Sequence, residues 1–155
     1  MKRVTGIVPA GQWQAGREVD HVMLAADERQ RRRAVFTGEK GYTFLLDLEK
    51  PVVLHDGDGL VLEDGGVVRI AGMAEALVEV RPRAVSDLAR LAWHIGNRHT
   101  DLQIVGETLR VRRDHVLEDM LRGLGAELAP IEAAFEPEVV PAVGALNNDG
   151  RGRDE

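Results

Sequence analysis

The stretch "DLQIVGETLRVRRDHVLEDMLRGLG", residues 101–125, decides the fold. Its first half alternates around Gly106-Glu107 and reads as two short strands joined by a tight turn. The second half changes period: Leu117, Met120, Leu121 and Leu124 recur at helical spacing. Asp114 stands where a side-chain oxygen can cap that helix, and Gly125 where a helix end favours a left-handed residue. Upstream, "ALVEV" (76–80) reads as a strand that Pro82 ends. Ser86 then caps a helix whose first turn holds Asp87, with Leu88, Ala92 and Ile95 on one face and Leu91 beside them. Downstream, "AELAPIEAAFEP" (126–137) is a last extended segment, interrupted by Pro130. Strand, helix, strand, strand, helix, strand is the split βαβ, or ferredoxin-like, order.

The residues before this unit read as β. "EVDHVMLAADE" (18–28) alternates, with Val19, His21 and Met23 on one side and Val22 and Leu24 near the other. "GYTFLLDL" (41–48) carries aromatic and β-branched residues after a glycine. Asp64-Gly65-Gly66 between "LVLE" and "VVRI" is the strongest hairpin signal in the chain. The predicted fold class is therefore α+β. A small all-β domain covers residues 1–74, a ferredoxin-like domain 75–138, and a flexible tail 139–155, where periodicity gives way to Gly, Asn and charge.

Composition removes whole classes of function. The chain has 155 residues, 44% hydrophobic and 30% charged, so a packed core is expected. Its net charge of −6 argues against general nucleic-acid binding, which draws on a basic surface. The absence of cysteine excludes disulfides, thiolate metal sites and cysteine nucleophiles. Pro9, Gly6 and Thr5 break up what would be the apolar run of a targeting segment, and no stretch reaches the roughly 20 apolar residues that span a bilayer. A cytoplasmic protein without membrane contact is the expectation. Nucleophile turns, phosphate loops and dinucleotide fingerprints are missing, so no enzyme is predicted.

Several segments invite sharper readings. Asp56 and Asp58 in "HDGDGLVLEDGG" hint at calcium, but the EF-hand pattern fails at Leu60, Val61 and Val67, and an acidic turn is the better account. Arg29, Arg31, Arg32 and Arg33 form a run that reads as a solvated turn or edge strand able to meet an acidic protein surface. His94 and His99 lie five apart in "WHIGNRHTDLQI" (93–104), about 140° around a helix of 3.6 residues per turn, so they do not form a ready-made chelate. Either is a helix-end residue or a single ligand. A two-fold axis near one of them turns one imidazole per chain into two, in an exposed and exchangeable site. His115 falls opposite the apolar face of the second helix, as a surface residue or a peripheral ligand; His21 and His55 have no visible partner.

"HIGNRHTDLQI" (94–104) followed by "DHVLEDMLRGLGAEL" (114–128) resembles the urease accessory protein UreE family of nickel metallochaperones. The likeness extends through "DHVMLAADERQRRRAVF", "FLLDLEKPVVLHDGDGLVLEDG" and "AEALVEV", covering most of residues 15–137. It implies a peptide-binding β domain followed by a ferredoxin-like domain that binds metal and dimerises. It also implies Ni²⁺ as cargo for the urease active site, with the GTPase accessory protein UreG and the apo-urease assembly complex as partners. The family's G-N-R-H histidine corresponds to His99, which the resemblance makes the metal ligand across a homodimer two-fold. Of two further histidines that some members carry, the later matches His115 and the earlier falls on Arg113. Many members end in a histidine-rich tail; this sequence ends in "NNDGRGRDE", so about one ion per dimer is expected. Cu²⁺ and Zn²⁺ should compete at an incomplete imidazole site, and binding should weaken as pH falls toward about 6.5.

Overall fold

The computed structural model describes residues 1–139. Beyond Val139, the predicted tail and its missing histidines lie outside the described residues.

Six strands form the first sheet: β1 (Lys2–Val8), β2 (Glu18–Leu24), β3 (Gln30–Thr37), β4 (Thr43–Val53), β5 (Gly59–Leu62) and β6 (Val67–Gly72), in the order β2-β6-β5-β1-β4-β3. Its core is aliphatic around Phe36 and Phe44, with Leu46, Leu54, Leu60, Val68 and Ile70 fully buried. β2 turns Val22 and Leu24 inward and leaves Met23 outside, as its alternation predicts. The β5–β6 hairpin also forms as read: Gly65 takes φ +90°, and the Asp64 carboxylate accepts a hydrogen bond from the Gly66 N–H at 3.0 Å. β1 is the strand that sequence reading missed. Thr5 and Gly6, the residues that break a targeting segment, lie within this central strand: Lys2 and Arg3 pair with β4, Gly6 pairs with Val61 of β5, and Thr5 sits at a register shift.

The second sheet contains β7 (Ala74–Arg81), β8 (Gln103–Val105), β9 (Thr108–Arg112) and β10 (Glu127–Ala134), in the antiparallel order β10-β7-β9-β8. Helices α1 (Leu88–Asn97) and α2 (His115–Gly123) follow β7 and β9, so the strand and helix order is the ferredoxin-like one. Leu91 and Ile95 of α1 and Leu117 and Leu121 of α2 pack with Val78, Val80, Leu109 and Val111. Burying each such side chain stabilises by about 1.5–3 kcal/mol. Pro130 does not break β10, because an edge strand is paired on one flank only and can spare an N–H.

Two helix-end expectations are corrected. Ser86 does not cap α1: a 3₁₀ turn over Val85–Asp87 leads into the helix, and no side chain caps its start. Leu124 lies past the end of α2 and is exposed rather than part of its packed face. Asp114 does cap α2, accepting from the Leu117 N–H at 2.9 Å.

The arginine run is not uniformly solvated either. Arg32 and Arg33 are exposed on the edge strand β3, but Arg29 is 1% exposed. Its guanidinium donates to Glu136 at 2.6 Å and to the Phe135 carbonyl, both beyond β10. Residues 135–136 therefore link the second sheet back to the first. His55 Nδ1 and the Asp56 N–H meet the same Glu136 carboxylate at 3.1 and 2.9 Å. The Ala26 N–H donates to Glu75 at 2.9 Å, and the Met73 N–H to the Leu24 carbonyl at 2.8 Å.

Candidate metal centre

α1 ends at Asn97, and the turn beyond it positions His99. A helix end leaves carbonyls without partners, and the usual remedy is a residue in the left-handed region, most often glycine. Here that residue is His99, with φ +57°, the one non-glycine residue with positive φ among the described residues. Its N–H donates to the Gly96 carbonyl at 2.9 Å. The histidine thus does not continue the buried face of α1; the turn carries it out of the helix, and it is exposed. A non-glycine residue held at positive φ is uncommon, and such positions cluster at functional sites.

His94 is separated from it by the helix end. It is half-buried within α1, and its ring meets Trp93 edge-on at a centroid distance of 5.0 Å. His115 opens α2 with its side chain 87% exposed, its Nε2 3.4 Å from Asp119. An open cleft of about 540 Å³ separates the end of α1 from the start of α2, lined by Arg98, Thr100, Asp114, Val116 and Leu117. The chain neighbours of His99 and of His115 therefore face one cleft from opposite sides. Trp93 and Val116, 62% and 60% exposed, put apolar surface beside these histidines.

Arg113 has a different task. It forms a two-pronged ion pair with Glu118, at 2.9 and 3.2 Å, and Glu118 also accepts from the Asp114 N–H. The Arg113 hydrogen bond holds the buried Glu118 carboxyl below its ordinary range against the opposing effect of burial. This position belongs to the cap of α2. The acidic loop is likewise structural: Asp56 accepts from the Gly72 N–H at 2.7 Å and Asp58 from the His55 N–H at 2.8 Å. Among the described residues, no three His, Asp or Glu side chains converge to hold a metal ion. A single copy offers separated imidazoles. Glu136, Glu75 and His55, whose hydrogen bonds link the two domains, left no signal in the sequence, because their partners are distant along the chain.

A six-stranded β domain joined to a ferredoxin-like domain, with His99 exposed just beyond the end of α1, defines a two-domain α+β protein. The chain belongs to the UreE family of urease accessory proteins. The family model for the N-terminal domain matches residues 4–71, and that for the C-terminal domain residues 75–155. A urease accessory protein UreE of Rhodopseudomonas palustris (strain BisB18) is 48% identical over 89% of this chain and 65% of its own length. That of Bradyrhizobium sp. (strain ORS 278) gives the same figures, and that of Beijerinckia indica is 42% identical over 89% of this chain and 79% of its own length. The chain thus spans just under two thirds of the first two relatives. No helix among the described residues is long and apolar enough to cross a membrane.

Proposed function

We propose that this chain is a nickel-binding metallochaperone that delivers Ni²⁺ for assembly of the urease active site. The metal is held by His99 from each of two copies across a homodimer two-fold. The observation that carries this reading is His99 itself: an exposed imidazole at the one left-handed non-glycine position among the described residues, inside the G-N-R-H element. Its isolation fits the role. Two imidazoles from two copies leave coordination positions open, so cargo can be taken up and passed on, and imidazole nitrogen suits Ni²⁺ while admitting Cu²⁺ and Zn²⁺. The exposed Trp93 and Val116 supply apolar surface that a second copy can cover. His115 is a peripheral ligand at most, and His94, half-buried against Trp93, is the weakest of the three. The protein acts without catalysis, in the cytoplasm, with the GTPase UreG and the apo-urease assembly complex as partners.

Nickel titration by calorimetry with native mass measurement tests this. The expected result is about one ion per dimer, lost in His99→Ala. Unchanged affinity in that variant removes His99 from the site. The second reading is an interaction module that carries no metal, favoured by the arginine-lined edge of β3. Equilibrium dialysis decides: no nickel retained by the wild type selects it.

A further inference from the structure

Arg112, near the end of β9, touches three segments that are far apart in sequence. Its Nη1 donates to Asp101 at 2.9 Å, two residues past His99. Its Nε donates to Glu75 Oε1 at 3.0 Å, and Glu75 Oε2 accepts from the Ala26 N–H of the first domain at 2.9 Å. The guanidinium carbon lies 4.8 Å from the centre of the fully buried Phe135 ring, whose own carbonyl is held by Arg29. The segment after His99 is tied to the same strap at two more points. The Glu136 N–H donates to the Gln103 side chain at 3.0 Å, and the Glu138 N–H to the Leu102 carbonyl at 2.7 Å. A planar guanidinium with fixed donors can serve two carboxylates and stack on a ring at once, which a lysine cannot.

From this juxtaposition we infer that Arg112 is a positioning residue, coupling the segment that presents His99 to the seam between the two domains. The inference rests on the metal reading for its purpose but not for its geometry. His99 occupies a left-handed turn held to α1 through the Gly96 carbonyl, and the anchorage of residues 101–103 fixes the chain on its other side, so it bears on where the imidazole points. Any ligand that orders this turn also tightens Asp101 on Arg112, and through Glu75 the hold on Ala26. Coupling of this kind is reciprocal: a partner docked on the first domain alters how firmly His99 holds its ion.

Hydrogen exchange on the full chain tests the link, with the Ala26 amide as reporter. Without metal, Asp101→Asn should quicken exchange at Ala26 about threefold in the wild-type background and have no effect when Arg112→Met is already present. An unchanged Ala26 rate in Asp101→Asn overturns the relay whether or not nickel binds. With Ni²⁺ added, exchange at Ala26 should slow in the wild type but not in Arg112→Met, whose nickel affinity should fall about fivefold at unchanged stoichiometry. Slowing that persists in Arg112→Met overturns the coupling. Nickel binding that is absent from the wild type, or unaffected by His99→Ala, defeats the metal reading and leaves the metal-free result to decide on Arg112. Arg112→Lys, which keeps the charge but not the fork, should recover the fold and not the coupling.

Discussion

The two helices of the second domain do the same packing work and are finished in opposite ways. α2 is closed at both ends. Asp114 and Glu118 satisfy its first amides, and Gly125, at φ +90°, lets its own N–H reach the Arg122 carbonyl and that of Ala126 reach Leu121. α1 has no side-chain cap at its start, and at its end a histidine takes the left-handed position. There only the inner bond forms, from His99 to Gly96. Local sequence rules are satisfied at α2 and set aside at the end of α1, the pattern expected if His99 is the proposed ligand. The same backbone problem is thus solved by a glycine in one helix and by a histidine in the other.

The sharpest way to break that comparison is to remove the imidazole alone. His99→Ala should lower nickel affinity at least about 100-fold, roughly 2.8 kcal/mol, while the urea midpoint barely moves; calorimetry and denaturation measure both. A large loss of stability instead would make His99 a structural residue. Gly125→Ala should cost about 1–2 kcal/mol of stability and leave nickel binding intact. The added methyl meets only the Arg83 guanidinium at 3.6 Å, so the cost comes from the backbone.

Glu118→Gln loosens the start of α2 by about 1–2 kcal/mol at neutral pH. Its pH dependence has a definite sign. The Glu118 carboxyl is held below its ordinary value, chiefly by Arg113, so its stabilisation is present above the reference value of 4.5 and lost as pH falls through the lower folded value. The gap between wild type and Glu118→Gln should therefore narrow in urea titrations run from about pH 6 down to about pH 3. His99→Gly should move the other way from Gly125→Ala, raising stability by about 0.4–1 kcal/mol and abolishing the metal site. A fall in its melting temperature would show that the left-handed histidine carries no strain. Smallest of all, His115→Ala should change stability by less than about 0.5 kcal/mol, since the side chain is 87% exposed.

The features legible in the sequence were legible because they are local. The apolar repeat of α2, its Asp114 cap and Gly125 all act within a few residues, and the Asp64-Gly65 hairpin closes on itself. β1 was not legible: its pairing partners in β4 and β5 lie more than thirty residues away, and Thr5 falls at a register shift in the pairing with β5. Ser86 had the right identity for a cap, but a 3₁₀ turn displaced it from the helix start. Arg29 stood in a run of exposed arginines and is itself buried, because Glu136, 107 positions later, folds back onto it.

By itself the sequence determined the α+β class, the periods of α2 and of the β5–β6 hairpin, and the family, since all of these are carried by residue types at short spacing. Only the tertiary structure decided the left-handed conformation of His99. It alone also decided the seam at which Glu75 and Glu136 join the two domains, with Arg112 behind Glu75. The reason is physical: helix periods and caps are set by neighbours in the chain, whereas a buried charge or a shared guanidinium is placed by partners that meet only after the sheets have formed.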